Sequence, residues 1–432
     1  MQSQYLAMNK NFGKFLRKYF KNRINFAIFA CLLIALVVTR FADLETRSVF
    51  GYDQVDNAWA VKNIIIDGDL PSTGMQAKGN TGFYIGPYYY YYLVPFYFLS
   101  GMDPIASPIA AGVTAIFTFL VIYFVTRNLF NEKVALVAIF INTFSSYILI
   151  LDRVQWPVNF IVPISFLVML SLYRSLQGQG KYMPLLAASI GASLHVHFTS
   201  VFYFIFVVLS LPFISLNKKM IKYLLLSLPV FVFFLFPIVI AYVNSRQGSA
   251  AASYLGSSFH GFHLRRVFQL IKDAVIESNA ILGFKNSHLL SFILIPLSIF
   301  VVNFKKIKRD NLLISYLFII WILVPWFAFS TYSGELTNYY FAITRPVAIL
   351  SISIIAVKLL SFKRKYMYVI LTLIGILYIY FNMQTFLNQG PQTLLKSKIS
   401  TMEKINKGER IEFVQGDPHS YLYFYYKELP KK

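Results

Sequence analysis

The sequence predicts an all-α polytopic membrane protein, a bundle of about eleven transmembrane helices. Three observations carry that prediction. Of 432 residues, 57% are hydrophobic and only 13% are charged, whereas a soluble domain of this length carries about a quarter charged residues. The apolar residues fall in runs close to the roughly 20 residues that cross a bilayer. Lys and Arg, which give a formal net charge of +22, lie in short clusters between those runs. A nucleic-acid partner would need a continuous solvated basic face, so none is expected.

Crossings are expected near residues 25–41, 104–126, 134–151, 158–173, 183–196, 198–214, 223–243, 288–303, 311–330, 346–361 and 366–382. Basic clusters occur in the tail 1–24, at Arg127/Lys133, Arg174/Lys181, Lys218/Lys219/Lys222, Lys305/Lys306/Lys308/Arg309 and Lys363/Arg364/Lys365. With this count every cluster falls on one side, which the positive-inside rule makes cytoplasmic. Tyr88–Ser100 is also apolar, yet a full crossing there would reverse the parity of nearly all later clusters. It is therefore expected to be a short re-entrant or interfacial helix, tolerated where protein covers its backbone. The basic start lacks a small-x-small cleavage site, so the first span is expected to be a retained anchor. Cys31 is the lone cysteine and excludes an intrachain disulfide.

Most acidic residues fall on the opposite, outer side. That side is expected to carry a first loop at 42–103, a later loop at 244–287 and a small cap from 383 to 432. In the cap, Ile411–Val414 and Tyr421–Tyr426 alternate with polar stretches and read as a small α/β unit. No internal repeat is present, so residues 25–382 form one membrane domain.

The segment from Tyr52 to Pro71 reads as an amphipathic helix ended by Gly68 and Pro71. Val55, Trp59 and Ile66 recur at helical spacing, while Asp53, Asp56, Asn57, Asn63 and Asp67 form a polar side. Such a helix lies in the membrane plane with Trp59 at the headgroups. Asp53 at its start has two readings. Asp is a preferred N-cap residue; a carboxylate near apolar surface is also a candidate general base.

This pattern resembles the GT-C glycosyltransferases. The shared features are an acid after the first span (Asp53), Gly68-Asp69-Leu70-Pro71, and the Pro–Tyr stretch Gly86-Pro87-Tyr88 to Pro95. The branch it resembles contains the protein O-mannosyltransferases, the lipid A aminoarabinose transferase and the RgtA/B/C/D-like bacterial enzymes. The resemblance implies a GT-C-like bundle in a bacterial cytoplasmic membrane. It further implies sugar transfer from a polyprenyl-phosphate donor to a glycan, lipid or protein acceptor on the outer face, with inversion and Asp53 as base. The mannosyltransferases follow the first acid with Glu, whereas Gln54 stands here and Asp56 is the next acid. A divalent metal therefore has no clear ligand motif, and no cofactor or metal ligand is assigned.

Other residues are candidates for substrate contact. Asp152 and Arg153 stand at the outer end of the third span, where the bland reading pairs them with each other. His195 and His197 lie where two short spans meet and, two residues apart, face different sides of a helix. One of them is a candidate site residue as an intramembrane ionisable group. Asp56, Tyr88 and Tyr340 are further candidate donor contacts. Arg345, Lys78 and the pair Arg265/Arg266 are candidate phosphate ligands, since guanidinium binds phosphate in bidentate fashion. Arg265/Arg266 with His260 and His263 also suit a polymerase or ligase of lipid-linked glycans. A flippase is the non-enzymatic alternative, and it predicts related halves with broken central helices.

Overall fold

The computed structural model describes residues 23–76, 82–244, 264–270, 288–303, 308–332, 336–362 and 364–429, with positions 253, 256, 261 and 334. Lys78, His260 and His263 lie outside the described residues, as does most of the basic tail.

Every expected crossing contains a helix. These are α1 (Arg23–Phe41), then α4 (Ala106–Leu129), α5 (Glu132–Phe144) with α6 (Ser146–Leu151), and α7 (Ile161–Leu176). There follow α8 (Met183–Ser193), α9 (Val201–Ser210), α10 (Lys218–Asn244) and α11 (His288–Asn303). The set closes with α12 (Arg309–Ser330), α13 (Arg345–Leu360) and α14 (Lys365–Leu387). Among the described residues, seven helical segments are long and apolar enough to cross a membrane. The chain is a multi-pass membrane protein. The remaining apolar helices are shorter or broken, and they are held by neighbours on several sides.

The basic turns share one end of the bundle. Arg174 donates to the Asn128 carbonyl at 2.7 Å, Gln177 donates to Asp310 at 2.9 Å, and Arg309 reaches the Leu176 carbonyl at 3.4 Å. At that same end Asn25, Lys133, Ser361 and Tyr368 line one cavity. The alternation of charge along the sequence thus becomes a spatial sorting.

The first loop supplies α2 (Asp53–Lys62), prolonged by one π turn, Asn63–Asp67, and stopped by Gly68 at φ 72°. It also supplies α3 (Tyr88–Leu99), whose 12 residues span about 18 Å at 1.5 Å per residue. That is well short of the roughly 30 Å hydrocarbon core, as expected for a helix that does not cross.

Two expectations are corrected here. The tail is helical, with α15 (Thr393–Asn406) and α16 (Pro418–Tyr423), and Ile411–Val414 forms no strand. The tail covers the face of α2 that was expected to meet lipid headgroups. Trp59 packs instead among Phe413, Tyr421 and Phe424 of the cap, with ring centroids 5.3–5.4 Å away. Asn57, placed on the polar side, is fully buried, and Ile66 is exposed. Local periodicity could not anticipate a cover supplied from residues 393–424.

The third crossing breaks at Ser145, whose backbone is extended. Inside a bilayer each freed backbone group needs a protein partner. The Arg40 guanidinium, fully buried, donates to the carbonyls of Thr143 and of Asn142, the latter at 2.8 Å. Asn382 accepts from the Ser146 amide at 2.8 Å. Arg40 also pairs with Asp152 at 2.9 Å. The expected Asp152/Arg153 pair is not formed. Arg153 turns back on α1 and donates to the carbonyls of Thr39, Arg40, Ala42, Asp43 and Arg47 at 2.8–3.4 Å. These bonds occupy all five of its N–H donors. Arg40 of α1 thus caps the broken end of α5, and Arg153 caps the end of α1.

This arrangement makes Arg40→Met a severe change, because it strands a largely buried Asp152 carboxylate. The expected loss is about 3–5 kcal/mol, measured as a lower thermal-unfolding midpoint in detergent. Adding Asp152→Asn should recover part of that loss.

Candidate active site

Asp53 is the first residue of α2, and the N-cap position belongs to Tyr52. The carboxylate makes no capping bond, so the bland reading of Asp53 fails. The side chain is half-buried. Burial raises its pKa above the ordinary carboxylate range, a hydrogen bond from the Trp156 indole opposes that rise, and neighbouring Asp56 adds to it. A carboxylate with raised proton affinity, still facing a cleft, is suited to accept a proton.

Trp156 is the residue that sequence reasoning undervalued. Its ring lies 4.5 Å from that of Tyr339, and Tyr339 in turn meets His197 at 5.7 Å. Tyr339 and Tyr340 sit on the turn Asn338–Thr344, which is fixed by the Ser165 hydroxyl donating to the Ile343 carbonyl at 3.1 Å. Behind Trp156, Gln155 donates to the Tyr89 hydroxyl at 2.8 Å, while its carbonyl accepts from Gln54 at 3.1 Å. The loop 151–157 is thereby clamped to the start of α2. Only a Trp beside Pro157 at the end of an apolar run hinted at this in sequence.

The cap forms the other wall. The Tyr52 amide donates to the Gly416 carbonyl at 2.9 Å, and Asp56 accepts from the Gly416 amide at 3.0 Å and from Gln415 at 3.1 Å. Asp56 is thus committed to holding the cap. Tyr52 itself sits at φ 36°, ψ −105°, a conformation that costs a non-glycine residue about 1–3 kcal/mol. Between these walls lies a cleft of about 610 Å³, lined by Asp53, Trp156, Gln415 and Asp417 among others. One turn beyond Asp53, the buried Asn57 amide has both polar atoms without a hydrogen-bond partner.

The two histidines part company. His195 stacks on Tyr88 with centroids 4.1 Å apart and planes 5° from parallel. Its Nδ1 accepts from the Tyr88 amide at 3.3 Å, which makes Nε2 the protonated nitrogen and a donor to the Phe234 carbonyl at 2.9 Å. With both nitrogens held by backbone, His195 joins α3, α8 and α10 and has no position left for proton transfer. His197 caps the short helix Phe198–Ser200 and packs against Tyr340 at 5.3 Å. They share no common ligand position.

Arg345 opens α13, is buried, and lies 5.1 Å over the Tyr147 ring, to whose hydroxyl it donates at 3.3 Å. Asp152 senses its charge as well as that of Arg40. The structure brings Asp53, Trp156, Tyr339, Tyr340 and His197 into one connected set, with Arg345 close to the Arg40–Asp152 pair. It does not bring in Arg265, which is exposed, or Arg266, which donates to the Gly334 carbonyl. Among the described residues no three His, Cys, Asp or Glu side chains converge as a metal site.

Known proteins share this fold. The model for dolichyl-phosphate-mannose-protein mannosyltransferases matches residues 85–240, a minority of the chain. The crystal structure of apo ArnT from Cupriavidus metallidurans aligns with a TM-score of 0.51 at 15% identity, covering 76% of this chain and 58% of that one. The same enzyme bound to undecaprenyl phosphate gives 0.52 at 14% identity, covering 92% and 74%. The apo oligosaccharyltransferase of Archaeoglobus fulgidus gives 0.55 at 12% identity, covering 93% and 61%. The chain shares the fold of these solved structures. It spans 58% of apo ArnT and 61% of the archaeal enzyme. No curated protein matches its sequence.

The matched region includes a close approach that can be tested. A Cβ on Gly86 would fall 1.9 Å from His195 Nδ1, so Gly86→Ala must expel the imidazole from its stack on Tyr88. The expected cost is about 1–3 kcal/mol, read from the unfolding midpoint. His195→Ala in the same background should remove most of that cost, giving a coupling that a double-mutant cycle detects.

Proposed function

We propose that this GT-C chain transfers a sugar from a polyprenyl-phosphate-linked donor to an acceptor hydroxyl, inverting the anomeric carbon, at the extracytoplasmic face of a bacterial cytoplasmic membrane. One observation carries the reading: a half-buried Asp53 carboxylate that makes no capping bond opens, beside Trp156, into a cleft between the first loop and the cap. Solved structures of similar fold include one bound to undecaprenyl phosphate, and this supports a lipid-phosphate donor.

In this mechanism the acceptor O–H gives its proton to Asp53 as its oxygen bonds the anomeric carbon. The bond from that carbon to the phosphate oxygen breaks, and polyprenyl phosphate leaves with the electron pair. Arg345 stabilises the departing phosphate from its buried position, where poor water access strengthens its field. Trp156 orients the Asp53 carboxylate and moderates its basicity. Tyr340 and His197 form the aromatic floor behind it. The glycan, lipid or protein nature of the acceptor is set by the cleft between Asp53 and the cap edge at Gln415–Asp417.

Transfer from a polyprenyl-phosphate sugar in proteoliposomes tests the assignment. Asp53→Asn should lower the rate by about 10²–10⁴-fold, the range for a lost general base, and undiminished transfer would refute the role. Since the base must be ionised, activity should rise with pH along a limb set by Asp53, above the usual carboxylate range. Trp156→Phe removes the bond that lowers this pKa, so the limb should move to higher pH. A limb that stays put or moves down would contradict the contact.

A further inference from the structure

Two adjoining cavities lie toward the opposite, basic end of the bundle, away from Asp53. One of about 880 Å³ is lined by Asn25, Ile28, Lys133, Phe140, Leu360 and Tyr368, among others. A second, of about 470 Å³, shares Val137, Phe140 and Leu360 with it and continues past Ala356 and Gly375 to Tyr378. Together they form one groove between α5, α13 and α14.

The groove follows from how α14 is held. Its buried residues are Tyr378, Asn382 and Phe386, one row at four-residue spacing in its second half. There Tyr378 packs on Phe140 at 5.9 Å and donates to the Ile141 carbonyl at 3.4 Å. Toward the basic end α14 stands away from the bundle, leaving Val369, Ile370, Leu373 and Ile374 exposed. From Tyr368 to Tyr378 the helix rises about 15 Å, close to half of the roughly 30 Å hydrocarbon core. The groove is therefore about as deep as one leaflet.

Its walls sort by depth. The deep part is lined almost wholly by apolar side chains such as Ile352, Leu371 and Ile379. The mouth carries Asn25, Asn131, Lys133 and Ser361, and α14 starts beside it with Arg364 and Lys365. Glu132, the acid in the lining, is buried and accepts from the Tyr123 hydroxyl at 3.4 Å. Lys133 thus stands at the mouth above an apolar slot, with Arg364 and Lys365 at the adjoining start of α14.

We propose that this groove binds one anionic phospholipid from the leaflet at the basic end. Its acyl chains lie between α5, α13 and α14, and its phosphate sits at Lys133, Arg364 and Lys365. Depth and charge select this occupant together. A polyprenyl chain, longer than one leaflet, would leave most of its length outside, and a zwitterionic lipid would gain little from the cationic mouth. The site is separate from the proposed transfer reaction and does not rest on it.

The test uses the full chain in nanodiscs of equal phosphatidylglycerol and phosphatidylcholine, followed by native mass spectrometry of the released protein. The wild type should retain one phosphatidylglycerol at least about fivefold over phosphatidylcholine, the factor expected for a single interfacial Lys. Lys133→Glu should bring the two lipids to parity. Gly375→Leu fills the deep part and is sterically mild, because a Cβ there meets only Phe140 at 3.8 Å; it should lower retention of both lipids. Parity in the wild type, or wild-type retention in a folded Gly375→Leu protein, overturns the proposal. So does displacement of the phosphatidylglycerol by an equal amount of polyprenyl phosphate, since that would refute the depth argument.

Discussion

Two buried arginines hold the end of the molecule that carries Asp53, each by satisfying carbonyls at a helix end that is not its own. Arg40 closes the break at Ser145, and Arg153 closes the end of α1. A bilayer supplies no water to orphan carbonyls, so the broken crossing and the first loop are possible only with these partners. Asp152 balances Arg40, and burial makes that balance a condition of folding rather than a surface ornament. Trp156 lies three residues beyond Arg153, and Gln54 bonds the Gln155 carbonyl. The Asp53 carboxylate therefore inherits its place from the arginine pair.

Much of the bundle was legible in the sequence because lipid imposes a local rule. Apolar runs and basic clusters are readable within windows of twenty residues, and each window holds a helix. Charge parity also argued against a crossing at Tyr88–Ser100, although its composition alone favoured a span, and the helix there has 12 residues. What stayed hidden depends on contacts between distant segments. Arg40 sits within an apolar run and gave no sign that it would reach Asp152. Trp59 has the spacing of a headgroup anchor, and only the folded cap turns it into core. The helical character of the tail was likewise masked by its alternation of aromatic and polar residues.

The candidate site was legible by residue type more than by role. Asp53 stood out by position, yet its distinction from a helix cap required seeing Tyr52 at the N-cap. His195 looked like a functional group within a membrane and is held by two backbone groups. Arg153 looked like a substrate contact and has every donor engaged. Such residues share one property: an ionisable or polar side chain in a lipid-facing chain is as often the solvent for backbone as it is the instrument of chemistry.

The joint between Tyr52 and Gly416 has a consequence for biogenesis. The cleft is built from segments near residues 50, 155 and 415, so its last wall is made long after the first two have left the ribosome. Until residues 393–424 have folded against the first loop, Trp59 has no aromatic cover and Asp56 no amide to hold. A nascent chain at that stage has a complete membrane bundle and half a cleft. Maturation of the site is then a docking event governed by delivery of the tail, and a chain whose tail fails to dock keeps an open site.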